Sequence, residues 1–94
     1  MELSRAWIGF INLLIYGVQF SPDPLLDVER ITQWVVQESD IPPVKYIAAI
    51  REALGSETPL VPLLIPQDHS EAVIRSFLSK VLDQLATITS VKQA

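Results

Sequence analysis

The stretch from Leu3 to Phe20 constrains this chain more than any other, because as a helix it is apolar over most of its circumference. At about 100° per residue its polar side chains, Arg5, Asn12, Tyr16 and Gln19, fall into one narrow stripe with Gly9 at its edge. Leu3, Trp7, Ile8, Phe10, Ile11, Leu13, Leu14, Ile15, Val18 and Phe20 take the flanks. A surface helix of a small domain needs only a one-sided apolar stripe, so this one has to be packed on several sides by other elements, a second subunit or lipid. Gly9 and Gly17 each weaken a helix by about 1 kcal/mol, and close approach of a neighbour is the physical reason to keep them.

Lipid is the less favoured cover. The uninterrupted part, Ala6 to Phe20, is 15 residues, about 22 Å as a helix, where a bilayer core of about 30 Å needs roughly 20 residues. Asn12 sits near its middle, and the narrow stripe with one Arg lacks the broad cationic face of an interfacial helix. No signal-peptide pattern opens the chain, with Glu2 preceding Arg5 and no small-residue cleavage site after the apolar run, so the cytoplasm is the expected compartment.

Prolines divide the remainder. Ser21-Pro22-Asp23-Pro24 ends the first helix, and Asp23-Pro24 starts a second, the carboxylate accepting from free amides while proline at the first helical position loses no bond. That helix is expected over 24–39, with Leu25, Val28, Ile31 and Val35 on its apolar face and Trp34 at the border. Pro42-Pro43 repeats the device, giving a third helix over 43–54, slimmed by Ala48, Ala49 and Ala53 and ended by Gly55 in the left-handed conformation. From Thr58 to Pro66 the chain is apolar again, but prolines at 59, 62 and 66 exclude a helix, so an extended strap or a lone edge strand is expected. A capping box of Asp68 with Glu71 opens a last helix over 69–89, with Glu71 and Arg75 an ion pair one turn apart. Its Ile74, Leu78, Val81, Leu85 and Ile88 recur at spacings of four and three, which fits an antiparallel bundle in which it lies along the first helix. The expected fold is a single all-α domain over 1–94, a small four-helix bundle with a proline-rich extended strap between helices 3 and 4.

Chemistry is sparse. Without cysteine there is no thiol catalysis, thiolate metal site or disulfide. Asp68-His69-Ser70 has the residue types of a hydrolase triad, yet consecutive residues at a helix start point apart, so capping explains Asp68 and Ser70 and His69 reads as an exposed first-turn residue. Asp23, Asp27 and Glu29 lie on a wet face with no apolar pocket, and the three glycines form no phosphate loop. No catalytic residue, metal or cofactor is expected. Seven scattered Lys and Arg against a net charge of −4 argue against nucleic acid.

What remains is apolar surplus: 49% of residues are hydrophobic and only 19% charged in a chain able to bury roughly 65% of its unfolded surface. The expected function is therefore noncatalytic protein–protein interaction, as an adaptor, assembly factor or subunit that binds a protein partner or itself as a homodimer or larger. Trp7, Trp34, Leu63 and Ile65 are the candidate interface residues, two of them aromatic anchors. A helical module for an apolar small molecule or lipid, with Asn12 or Tyr16 as polar contact, is the alternative; an acidic inhibitor built on Asp27, Glu29 and Glu38 is a further one.

Overall fold

A computed structural model describes residues 6–93 and the side chains of residues 7–89. It is all helical, with four α-helices and no strand among the described residues: α1 Ala6–Tyr16, α2 Val28–Gln37, α3 Pro43–Leu54 and α4 Glu71–Gln93. Single 3-10 turns stand at Pro24–Asp27 and Val61–Leu63. The thinnest dimension, 21 Å, is about two helix diameters.

α1 stops four residues before the expected Phe20. Its end tightens into bonds three residues back, Gly17 N–H to the Leu14 carbonyl, Val18 to Ile15 and Ser21 to Val18, before Pro22 removes the next donor. Phe20 thereby leaves the helix and is 91% exposed. The expected start at Leu3 lies outside the described residues. Asp23 caps as its sequence implies, accepting from Leu25 N–H at 3.1 Å, but the turn it opens is 3-10 and becomes α-helical only at Val28. α3 spans the expected residues. Gly55 ends it in a right-handed conformation, φ −81° and ψ −6°, so no left-handed cap is involved.

α3 is the central helix: α1 packs on it, and α4 packs on both it and α2. The long helix therefore runs beside α3 and α2 and not, as expected, along α1. The slim face made by Ala49 and Ala53, both buried, explains why neighbours approach α3 closely. The core joins Ile11, Leu14, Ile15 and Val18 to Tyr46 and Ile50 of α3 and to Ile74, Phe77, Leu78, Val81 and Leu85 of α4. Removing one such aliphatic side chain from water contributes roughly 1.5–3 kcal/mol. α4 continues to Gln93 beyond the expected Thr89.

Thr32 is buried on α2, and its hydroxyl meets no partner among the described residues. Thr32→Val keeps the shape and removes the unpaired group, so the urea midpoint is expected to rise, by up to about 1 kcal/mol of stability. A lower midpoint would show that the hydroxyl is satisfied in solution.

The proline segment is a strap and not a strand, folded once into the 3-10 turn where full extension was expected. Leu60 and Leu64 point into the core, with Val61 and Ile65 packed against it. With no ladder partner, its backbone is held by side chains. The Glu71 carboxylate accepts from Leu60 N–H at 2.8 Å and Val61 N–H at 3.0 Å, and Asn12 Oδ1 accepts from Ile65 N–H at 2.8 Å. Gln19 Nε2 donates to the Pro66 carbonyl at 2.6 Å. Arg75 forms the expected ion pair with Glu71, 2.8 Å, and also donates to the carbonyls of Leu54, Ser56 and Thr58.

The capping box is not formed. Ser70 caps α4 by accepting from Val73 N–H at 3.2 Å, while Glu71 turns to the strap. His69 is half-buried rather than exposed, its Nε2 2.9 Å from the Val18 carbonyl. Of the triad-like run, His69 and Ser70 are thus spent on separate structural bonds, while Asp68, expected to cap, is exposed and accepts no hydrogen bond among the described residues.

Candidate functional site

Where α1 ends against the flank of α2, the surface opens into a groove of about 480 Å³ lined by Leu13, Tyr16, Gly17, Arg30, Ile31, Trp34 and Glu38. Gly17 lies beside Ile31 just past the end of α1. A Cβ at that position would stand 2.6 Å from Ile31 Cδ1, so only glycine lets the end of α1 sit this close to α2 without displacing Ile31. Gly17 meets the expectation of a close-approach glycine. Gly9 does not, since a Cβ there would meet nothing within 4 Å.

One rim is fixed electrostatically. Arg30 Nη2 donates to the Gly17 carbonyl at 3.0 Å and lies 3.4 Å from Asp27, while Asp27 accepts from the Ser21 hydroxyl. The Ser21 bond, against the cost of burial and with help from Arg30, holds the Asp27 carboxyl below its ordinary range. This chain of bonds pins the α1–α2 connection and aims the guanidinium along the groove edge. At the opposite rim Glu38 is exposed and forms no ion pair among the described residues.

The walls are apolar and partly open. Leu13 is 41% exposed and Tyr16 72%. Trp34 is half-buried, its indole edge-on to Tyr46 with centroids 6.3 Å apart and planes at 75°. Phe10 meets the same phenol at 5.7 Å and 71°, and the Tyr46 hydroxyl is 3.0 Å from Ser39 Oγ. Trp34 is therefore a rigid wall, braced from behind by a ring that is itself fully buried.

Of the four residues expected at an interface, Trp34 lines the groove. Trp7 and Ile65 pack half-buried against the core, and Leu63 is half-buried on the strap. Leu13 and Tyr16 were not among those four; Tyr16 counted as a member of the polar stripe and as a polar contact in the apolar-ligand alternative. Phe20, Leu26 and Val44 are exposed elsewhere, at 91%, 81% and 54%. The side-chain carbonyl of Asn12, a candidate polar contact for an apolar ligand, accepts from Ile65 N–H at 2.8 Å.

Among the described residues no three or more metal-ligating side chains converge, and no helix is long and apolar enough to cross a membrane. No known protein family matches this chain, nor does any curated protein or solved structure.

Proposed function

We propose that this protein is a noncatalytic protein-interaction module of the cytoplasm, an adaptor, assembly factor or subunit, and that it binds through the α1–α2 groove. The observation that carries this reading is the groove's composition. Leu13, Tyr16, Ile31 and Trp34 form an apolar centre with Arg30 and Glu38 at its edges, the arrangement of a protein interface, with a desolvated aromatic core and a polar rim. Tyr and Trp bring large contact area with few rotatable bonds, so little ordering entropy opposes binding.

A groove of this volume also lies within the range of small-molecule sites, about 300–1,000 Å³, so the test has to separate the two. A photo-crosslinking benzophenone amino acid in place of Tyr16, irradiated in living cells, is expected to give a protein adduct by denaturing gel and mass spectrometry. The same group at exposed Glu57 serves as the control. Adducts confined to lipid or a small molecule, or no adduct above the Glu57 control, would overturn the reading.

A further inference from the structure

Arg30 and Trp34 of α2 and Glu38, the residue that caps its end, follow one another at intervals of four, and all three line the groove. Residues four apart share a helix face, so the stripe reads cation, aromatic, anion from its start to its end. Run in the opposite direction, it reads anion, aromatic, cation. It is therefore its own complement when two copies meet antiparallel. A foreign helix would have to present the same three chemistries in the same order; a second copy already does.

We propose that two copies of this chain dock groove to groove about a twofold axis at Trp34, with Arg30 of each meeting Glu38 of the other. This rests on the reading of the groove as a protein-docking surface and names its occupant. The symmetry is the isologous kind that closes a dimer and leaves no open end. Both charges are available for it. The Arg30 side chain is 58% exposed, and although its Nη2 lies 3.4 Å from Asp27 and donates to Gly17, the other donors of its five-donor guanidinium make no hydrogen bond among the described residues. Glu38 is exposed and has no partner of its own among the described residues. Leu13 and Tyr16, flanking the stripe on α1, supply the apolar area that the pairing covers. The net charge of −4 per copy does not forbid association, because at physiological salt charges beyond about 8 Å are largely screened and the facing groups decide.

An isologous pairing makes a prediction that no other occupant makes. Glu38→Arg sets cation against cation at both ends of the axis, and Arg30→Glu sets anion against anion. By sedimentation over a hundredfold concentration range, the wild-type chain is expected to be a dimer, and each single variant to raise the dimer dissociation constant at least about tenfold. The double variant Arg30→Glu/Glu38→Arg is expected to recover most of the loss. An equimolar mixture of the two single variants is expected to form a heterodimer, because both facing pairs are then of opposite sign. Arg30→Glu also disturbs the Gly17 and Asp27 contacts, so Glu38→Arg, which breaks no contact among the described residues, is the deciding variant. Its thermal unfolding, followed by circular dichroism on diluted monomer, should be unchanged.

A wild-type monomer at every concentration, or a dimer indifferent to Glu38→Arg, would overturn the proposal. In either case a Tyr16 adduct to a different protein would leave the docking reading standing. A Tyr16 adduct of twice the chain mass, lost in Glu38→Arg and regained in the mixture, supports both.

Discussion

Tyr46→Ala is expected to destabilise the protein by about 3–5 kcal/mol, the cost of removing a buried aromatic ring whose surroundings relax only in part. For a chain of 94 residues the whole stability is of the order of 5–14 kcal/mol, so this one change approaches the margin. Tyr46 is fully buried, and it stands between Phe10 of α1 and Trp34 of α2, edge-on to both. Its loss removes the ring through which both aromatics reach α3, and leaves a cavity where α1 and α2 converge on that helix. Tyr46→Phe separates ring from hydroxyl. It gives up only the bond to Ser39 Oγ, and is expected to cost about 0.5–1.5 kcal/mol. Chemical denaturation of both variants checks this. Equal losses would mean that the hydroxyl, and not the ring, carries the site. Because Trp34 is braced by this phenol, near-ultraviolet circular dichroism should weaken in Tyr46→Ala and persist in Tyr46→Phe.

Glu71→Ala is the second large effect, expected at about 2–3 kcal/mol. One carboxylate accepts from two strap amides and pairs with Arg75. Truncation leaves both amides without their acceptor at about 1–3 kcal/mol each, and water reaching a side chain that is one-third exposed offsets part of that. Amide hydrogen exchange gives the direct readout. The Leu60 and Val61 amides should exchange faster relative to those of α3, and unchanged rates would refute the clamp. Titration adds a signature. Burial opposes the charge on Glu71, but the Leu60 and Val61 amides and Arg75 outweigh it, so the folded carboxyl lies below its ordinary value of 4.5. A depressed folded value means stability that is fully present above the unfolded value and lost as pH falls through the folded one. Between pH 7 and strongly acidic conditions the wild type should therefore lose more stability than Glu71→Gln, whose side chain does not titrate. Asp27, depressed as well, contributes equally to both and cancels.

Backbone chemistry was the legible part of the chain. Pro24, Pro43 and the three prolines of the strap have no donor to give a helix, and this marked the segments between helices and the first residue of α3, though not where α1 ends or where α2 becomes α-helical. Side-chain partners across the fold were harder to read. Glu71 was visible as a mate for Arg75 because both stand on one helix, one turn apart. That it also holds Leu60 and Val61 depends on how the strap folds back, which no periodicity encodes. Asn12 was marked by its place in a narrow polar stripe, but nothing local names Ile65 as its partner. The groove was missed because a helix apolar on most sides gives no sign of which side stays open. Leu13 and Leu14 are indistinguishable by pattern, yet one is 41% exposed and the other fully buried. Trp34 was legible because a large ring at the border of an amphipathic helix has one edge in each environment.

The bond from Asn12 to the strap spans 53 residues of sequence, and the one from Val18 to His69 spans 51. On a ribosome adding about 5–20 residues per second, the strap side of α1 waits about 3–10 s for the chain that will cover it. α1 is among the most apolar stretches of the protein and is made before the strap. Its nascent form therefore presents a greasy helix for seconds before Leu60, Leu64 and Ile65 exist. This is the interval in which a newborn chain is most exposed to chaperones, or to the nascent chain of a neighbouring ribosome.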